Sequence, residues 1–159
     1  MKKVVLISGL AKKLPDVIDA DLIGVDHGAS VIAQAGVTMK AAIGDFDSVD
    51  GTELKAIAEH AETMVKLVPQ KDETDTELSI LLAKKLNGKK IDLIGALGGR
   101  IDHTIANINL LYYIKNKGIA PRIISEREEI YIAIDEEIII HGNIGDTISI
   151  IPIKGDAKG

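Results

Sequence analysis

The chain is 159 residues long, 46% hydrophobic and 27% charged, which is the size and apolar content of one folded domain with at most a small appendage and excludes a disordered chain. A formal net charge of −5 argues against general affinity for nucleic acid or anionic membranes, and Phe46 with three tyrosines leaves little material for base stacking. There is no cysteine, so disulfide frameworks and thiolate chemistry are excluded and a reducing, cytoplasmic setting is expected.

Val4 to Ile7 follows Met1-Lys2-Lys3 as an apolar run too short for a signal-peptide core or a membrane span, and it reads as a first strand. The next segment, Ser8-Gly9-Leu10-Ala11-Lys12-Lys13, lacks the glycine spacing and the Ser/Thr after lysine of a Walker A loop. Leu22 to Val25, Ala41 to Ile43, Met64 to Val68 and Ile91 to Ala96 are further short apolar runs of the kind that buried parallel strands show. Asp50-Gly51-Thr52-Glu53 predicts a capping box ahead of a helix with Leu54, Ile57, Ala58 and Ala61 on its apolar face. Leu78, Leu81, Leu82 and Leu86 predict a second helix that stops at Asn87-Gly88, and a third is expected from about Ile101 to Lys117. After Pro121 come the β-branched runs Arg122 to Ile124, Ile130 to Ile134, Ile138 to Ile140 and Thr147 to Ile151, separated by charged or glycine-containing turns.

This pattern predicts an α/β fold, a three-layer, Rossmann-like and mostly parallel sheet with helices on both faces, followed by an antiparallel β segment. The expected division is residues 1–124 and 125–159. Strands this few make a poor core alone and must pack on the α/β layer or on another subunit.

Acidic and glycine-rich segments stand where strands should end and helices begin: Ile43-Gly44-Asp45-Phe46-Asp47-Ser48, Lys71-Asp72-Glu73-Thr74-Asp75 and Gly98-Gly99-Arg100-Ile101-Asp102-His103. In a parallel sheet these ends share one edge, which is where open α/β sheets bind ligands. Read as extended backbone, Asp45 and Asp47 face one side and Phe46 the other, and two carboxylates that close invite a cation. The same acids also suit a turn and a helix cap, Asp72 and Asp75 suit a cap and a first helical turn, and Gly98-Gly99 suits a plain turn. Asp45-Phe46-Asp47-Ser48 is also similar to the nucleophile motif of haloacid-dehalogenase-like phosphatases, with Asp45 as nucleophile, although that motif normally follows a first strand.

The ordered set Val25-Asp26-His27-Gly28-Ala29, Ile43 to Ser48, Lys71 to Asp75 and Gly98 to His103 with Asn107 resembles the thiamine pyrophosphokinases. Gly145-Asp146-Thr147-Ile148-Ser149-Ile150-Ile151-Pro152 resembles the start of that family's β-sandwich domain, whose later strands and thiamine-contacting segment find no match here. The chain is therefore expected to hold an α/β catalytic domain and an incomplete β domain.

The resemblance implies transfer of a pyrophosphoryl group from ATP to the hydroxyl of thiamine, giving thiamine diphosphate and AMP with Mg²⁺ as cofactor. It further implies a homodimer with the thiamine site between subunits. Asp45, Asp47 and Asp75 are then the candidate Mg²⁺ ligands, since Mg²⁺ takes one or two carboxylates and shares its other positions with water and phosphate. Lys71 and Arg100 are placed on the triphosphate. Gly98 and Gly99 allow close backbone approach, and Ser48, His103 and Asn107 are assigned to nucleotide or substrate binding. Asp26 is expected to orient the nucleotide or the attacking hydroxyl, with Gly28 admitting the backbone. The acid that takes the hydroxyl proton stays open between Asp102 and Asp72. Besides the phosphatase, the competing reading is a nucleotide-binding or dimerising remnant without catalysis.

Overall fold

The computed structural model describes residues 2–16, 19–67, 75–153, 155 and 156. Its strands are β1 (Lys3–Ile7), β2 (Asp21–Val25), β3 (Ala41–Gly44), β4 (Met64–Lys66), β5 (Lys90–Ile94), β6 (Ala120–Ile124) and β7 (Glu129–Tyr131). Its helices are α1 (His27–Gln34), α2 (Gly51–His60), α3 (Asp75–Lys85) and α4 (Ile101–Asn116). The strands form one seven-stranded sheet in the order β4-β3-β2-β1-β5-β6-β7, parallel throughout except for the β6–β7 pair.

The alternation of side chains along a strand divides the core into two layers. On β1, Val4 and Leu6 face one layer with Ile80 and Ala83 of α3 and Leu110, Leu111 and Ile114 of α4. Val5 and Ile7 face the other, with Ala29, Val31, Ile32 and Ala33 of α1 and Ile57 of α2. A strand buried on both sides needs an unbroken apolar run, and Val4 to Ile7 supplies one. The three-layer mostly parallel α/β architecture is as expected.

Local signals start α2 and end α3. Asp50 Oδ1 accepts the N–H groups of Thr52 and Glu53 at 2.8 Å, and Glu53 Oε2 accepts the Asp50 N–H at 3.4 Å. This closes the capping box and starts α2. After α3, Asn87 has φ 61° and the Gly88 N–H returns to the Ala83 carbonyl at 3.0 Å, ending the helix as the Asn-Gly pair predicts.

The structure differs from the expected pattern at three places. The helix α1 carries no signal in the sequence: its only charged or strongly polar members are His27, Ser30 and Gln34, and its small apolar residues show no solvent face to mark a helical period. On α3, Leu81 points outward, while Ile80 and Ala83 are the buried apolar residues beside half-buried Leu78, Leu82 and Leu86. Ile138 to Ile140 and Thr147 to Ile151 form no strands, and Ile139, Ile144, Ile148, Ile150, Ile151 and Ile153 are exposed. A strand needs a paired neighbour for its backbone donors and acceptors, and among the described residues the pairing stops at β7.

Candidate active site

The order of strands reverses at β1: the chain runs outward through β2, β3 and β4 on one side and through β5 and β6 on the other. Ligands of open α/β sheets bind beyond the C-terminal ends of the strands at such a reversal. Ser8 leaves β1 there, Asp26 leaves β2, Gly44 to Ser48 leave β3 and Gly95 to Arg100 leave β5. The segments bearing the predicted site residues thus lie on one edge, except that Lys71, Asp72, Glu73 and Thr74 lie outside the described residues. Asp75 opens α3.

Asp26 sits between β2 and α1 with φ 50° and ψ −122°, a conformation that L residues rarely adopt and that costs on the order of 1–3 kcal/mol. Its N–H donates to the Ile43 carbonyl of β3 at 2.8 Å, and its carbonyl accepts the Ala29 N–H at 3.0 Å. The carboxylate folds over the end of β3, where a Cβ on Gly44 would stand 2.0 Å from Asp26 Oδ1. Gly44 leaves room for the Asp26 carboxylate, and the strained residue lies directly beside the acidic turn. Gly28 serves packing: a Cβ there would stand 2.0 Å from the Ile7 carbonyl oxygen, so glycine lets α1 start against the end of β1. His27 is exposed beside it.

The acidic turn is not extended. Phe46 has φ 58° and buries its ring with the α1 and α2 side chains, while Asp45 Oδ1 accepts the Asp47 N–H at 2.9 Å. A side-chain turn of this kind, rather than the pleat of a strand, keeps Asp45 and Asp47 together. Because Asp50 caps α2, Asp47 is not the helix cap, and its exposed carboxylate makes no hydrogen bond with a described residue. Ser48 is exposed next to it. Asp45 and Asp47 present hard carboxylate oxygens suited to Mg²⁺, but no group of three or more acids or histidines able to hold a metal occurs among the described residues.

On the other side of the reversal, Gly98 (φ 98°) and Gly99 (φ 66°) take conformations that favour glycine and lead into α4. Arg100, the N-cap of α4, is exposed and forks onto Asp102: Nε donates to Oδ1 at 3.1 Å and Nη2 to Oδ2 at 2.6 Å. Asp102 Oδ1 also accepts the His103 N–H at 3.0 Å. The Arg100 hydrogen bonds are the chief reason that the Asp102 carboxyl lies below the usual carboxylate range, which makes it a weaker base. His103 is exposed. Asn107, one turn further on, points its amide to the loop: Nδ2 donates to the Ala96 carbonyl at 2.9 Å. Two residues that carried no sequence signal of their own join this side. Ser8 Oγ donates to the Gly95 carbonyl at 2.6 Å and Thr104 Oγ1 to the Gly98 carbonyl at 3.2 Å.

The fold and this edge define an α/β protein whose ligand site is assembled from strand-end loops around a sheet reversal. The sequence model for the thiamin pyrophosphokinase catalytic domain matches residues 18–123. Thiamine pyrophosphokinase of Bacillus subtilis (strain 168) is 35% identical over 108 residues, 68% of this chain and 50% of that protein. Among solved structures, a thiamin pyrophosphokinase family protein from Enterococcus faecalis superposes with TM-score 0.71 at 29% identity, covering 82% of this chain and 64% of that one. The Bacillus subtilis thiamine pyrophosphokinase structure gives TM-score 0.71 at 31% identity over 80% of this chain and 62% of that one. The chain belongs to the thiamin pyrophosphokinase family. It spans about half the length of the curated relative it matches.

Proposed function

We propose that this chain transfers a pyrophosphoryl group from ATP to the hydroxyl of thiamine, releasing thiamine diphosphate and AMP. The observation that carries the reading is the pairing, on one sheet edge, of an acidic turn at Asp45-Phe46-Asp47 with a glycine-arginine helix start at Gly98-Gly99-Arg100. One offers carboxylates for a cation and the other offers a guanidinium and backbone donors for anionic oxygens, which suits a chemistry that rests on positioning and charge neutralisation. No observation favours the phosphatase or the non-catalytic reading.

In this reading Asp45 and Asp47 hold Mg²⁺, with Asp75 as the candidate third ligand. When bound, Mg²⁺ neutralises charge on the phosphate oxygens. Arg100, held in place by Asp102, contacts the transferred group together with Lys71. Gly98, Gly99 and His103 line the phosphate path beside Ser48, and Asn107 acts through the loop it anchors. Asp26 orients the nucleotide or the acceptor hydroxyl. The lowered pKa of Asp102 disfavours it as base and leaves Asp72 the better candidate, in a reaction that demands little of a base.

The same proposal includes the division into a catalytic unit, residues 1–124, and a β unit, 125–159. It also includes a homodimer, favoured by exposed Ile101 and Ile105 on α4 and the exposed isoleucines after β7. A cytoplasmic setting accords with the absence of cysteine, and no helix among the described residues is long and apolar enough to cross a membrane. The test is to incubate the purified chain with Mg-ATP, with and without thiamine, and identify products by mass spectrometry. Thiamine diphosphate with matching AMP is expected; inorganic phosphate as the sole product would refute it. Light scattering at micromolar concentration checks the dimer, which a monomeric mass would refute.

A further inference from the structure

The geometry points to Ser8 and Thr104 as positioning residues that fix the loop between β5 and α4 for phosphate contact, an inference that rests on the pyrophosphoryl-transfer reading. Side chains from separate places take three carbonyls of this loop: Ser8 Oγ that of Gly95 at 2.6 Å, Asn107 Nδ2 that of Ala96 at 2.9 Å and Thr104 Oγ1 that of Gly98 at 3.2 Å. Ser8 binds a second time through its backbone, its N–H donating to the Ile94 carbonyl at 2.9 Å and its carbonyl accepting the Ala11 N–H at 3.0 Å. It is therefore clamped at the reversal between β1 and β5 before it reaches for the loop.

A peptide unit has its C=O and N–H on opposite sides, so holding carbonyls against the protein body fixes the direction of the neighbouring N–H groups. Gly95, Gly98 and Gly99 all have positive φ, at 74°, 98° and 66°, and a loop of such glycines has many conformations open to it unless something holds it. The N–H groups of Ala96, Leu97 and Gly99, which share peptide units with the three held carbonyls, have no hydrogen-bond partner among the described residues. Donors fixed in advance act on charge that develops in a transition state without a reorganisation cost at that moment. Ser8 is half-buried at the sheet reversal and Thr104 lies on the first turn of α4, so the loop is fastened at both ends by hydroxyls. The clamp also explains why the Ser-Gly turn after β1 stands at the site edge without the spacing of a Walker A loop.

The experiment uses the full chain and the variants Ser8→Ala, Ser8→Thr and Thr104→Val, followed by thiamine diphosphate formation from Mg-ATP and by amide hydrogen exchange of Ala96 to Gly99 without substrates. For Ser8→Ala we expect kcat to fall roughly 5- to 10-fold, the scale of one neutral hydrogen bond, with both KM values and the thermal midpoint unchanged. Loop exchange should accelerate, Ser8→Thr should restore kcat, and Thr104→Val should show a smaller fall. Wild-type kcat in Ser8→Ala, or a fall matched by lost thermal stability, would overturn the inference. If the wild-type chain makes no thiamine diphosphate, the parent reading fails on its own, and unchanged loop exchange in Ser8→Ala would still overturn the positioning role.

Discussion

Arg122 of β6 grips Asp92 of β5 with two parallel hydrogen bonds, Nε to Oδ1 at 3.0 Å and Nη2 to Oδ2 at 2.9 Å, in the middle of a sheet where Asp92 is only 4% exposed. Lys3 of β1 adds a third contact to Oδ2 at 2.8 Å, and Arg122 continues to Glu129 and Tyr131 of β7. One buried carboxylate thus joins β1, β5 and β6 and, through Arg122, the single antiparallel strand.

Removing Asp92 leaves Arg122 and Lys3 without their shared anion. Asp92→Ala should lower the unfolding free energy by about 2–4 kcal/mol, somewhat under the 3–5 typical of a fully buried pair because Arg122 is partly solvated. Urea unfolding followed by circular dichroism checks this. A loss near that of a surface pair would show that the network contributes little.

The same carboxylate sets an acid limit. Burial raises the Asp92 pKa, but hydrogen bonds from Arg122 and Lys3 outweigh it, and the net shift is downward. A pKa lower in the folded than in the unfolded state stabilises fully above the ordinary carboxylate value of about 3.9 and is lost as pH falls through the folded value. Stability should therefore drop steeply below about pH 4. Asp92→Asn should start lower and show a shallower acid slope in unfolding experiments across pH 2 to 6.

At the acidic turn, Asp47 neither caps α2 nor carries a buried contact, so its loss should spare the fold. Asp47→Ala should keep the wild-type thermal midpoint and greatly weaken Mg-dependent ATP binding by calorimetry. Asp50→Ala is the contrasting control: it should lower stability by about 1 kcal/mol through the lost cap while leaving nucleotide binding intact. Unchanged binding in Asp47→Ala would remove it from the proposed metal site.

Arg100 and Asp102 form an exposed pair, which adds little to folding. Arg100→Ala should leave unfolding unaffected and reduce kcat about 100-fold, as loss of one transition-state donor does. Arg100→Lys should recover only part of this, since the fork geometry is lost. Steady-state kinetics beside a melting curve separates the two effects.

The proposed division after residue 124 predicts that a broad-specificity protease cuts between about residues 135 and 153, where the backbone is outside the sheet and the isoleucines are exposed, before it cuts β1 to β6. Mass spectrometry of the first fragments checks it; early cleavage within the parallel sheet would contradict it.

Sequence by itself determined the inner parallel strands, since Val4 to Ile7, Leu22 to Val25 and Ala41 to Ile43 are buried on both faces and can only be continuous apolar runs, whereas Met64 to Val68, read the same way, supplies the exposed edge strand β4. It also determined α2, through the Asp50 capping box, and the order of acidic and glycine-rich segments that marks the family. These are local properties of neighbouring residues. Tertiary structure alone decided the rest. Asp92 is an acid inside an apolar run until β1 and β6 bring Lys3 and Arg122 to it, and Ser8 is a turn residue until β5 is laid beside β1. Asp45 and Asp47 are joined by a turn rather than a pleat because Phe46 buries its ring at positive φ, which no spacing rule reveals. Ile138 to Ile151 have strand composition, yet a strand exists only with a partner for its hydrogen bonds, and that pairing is a property of the assembled sheet.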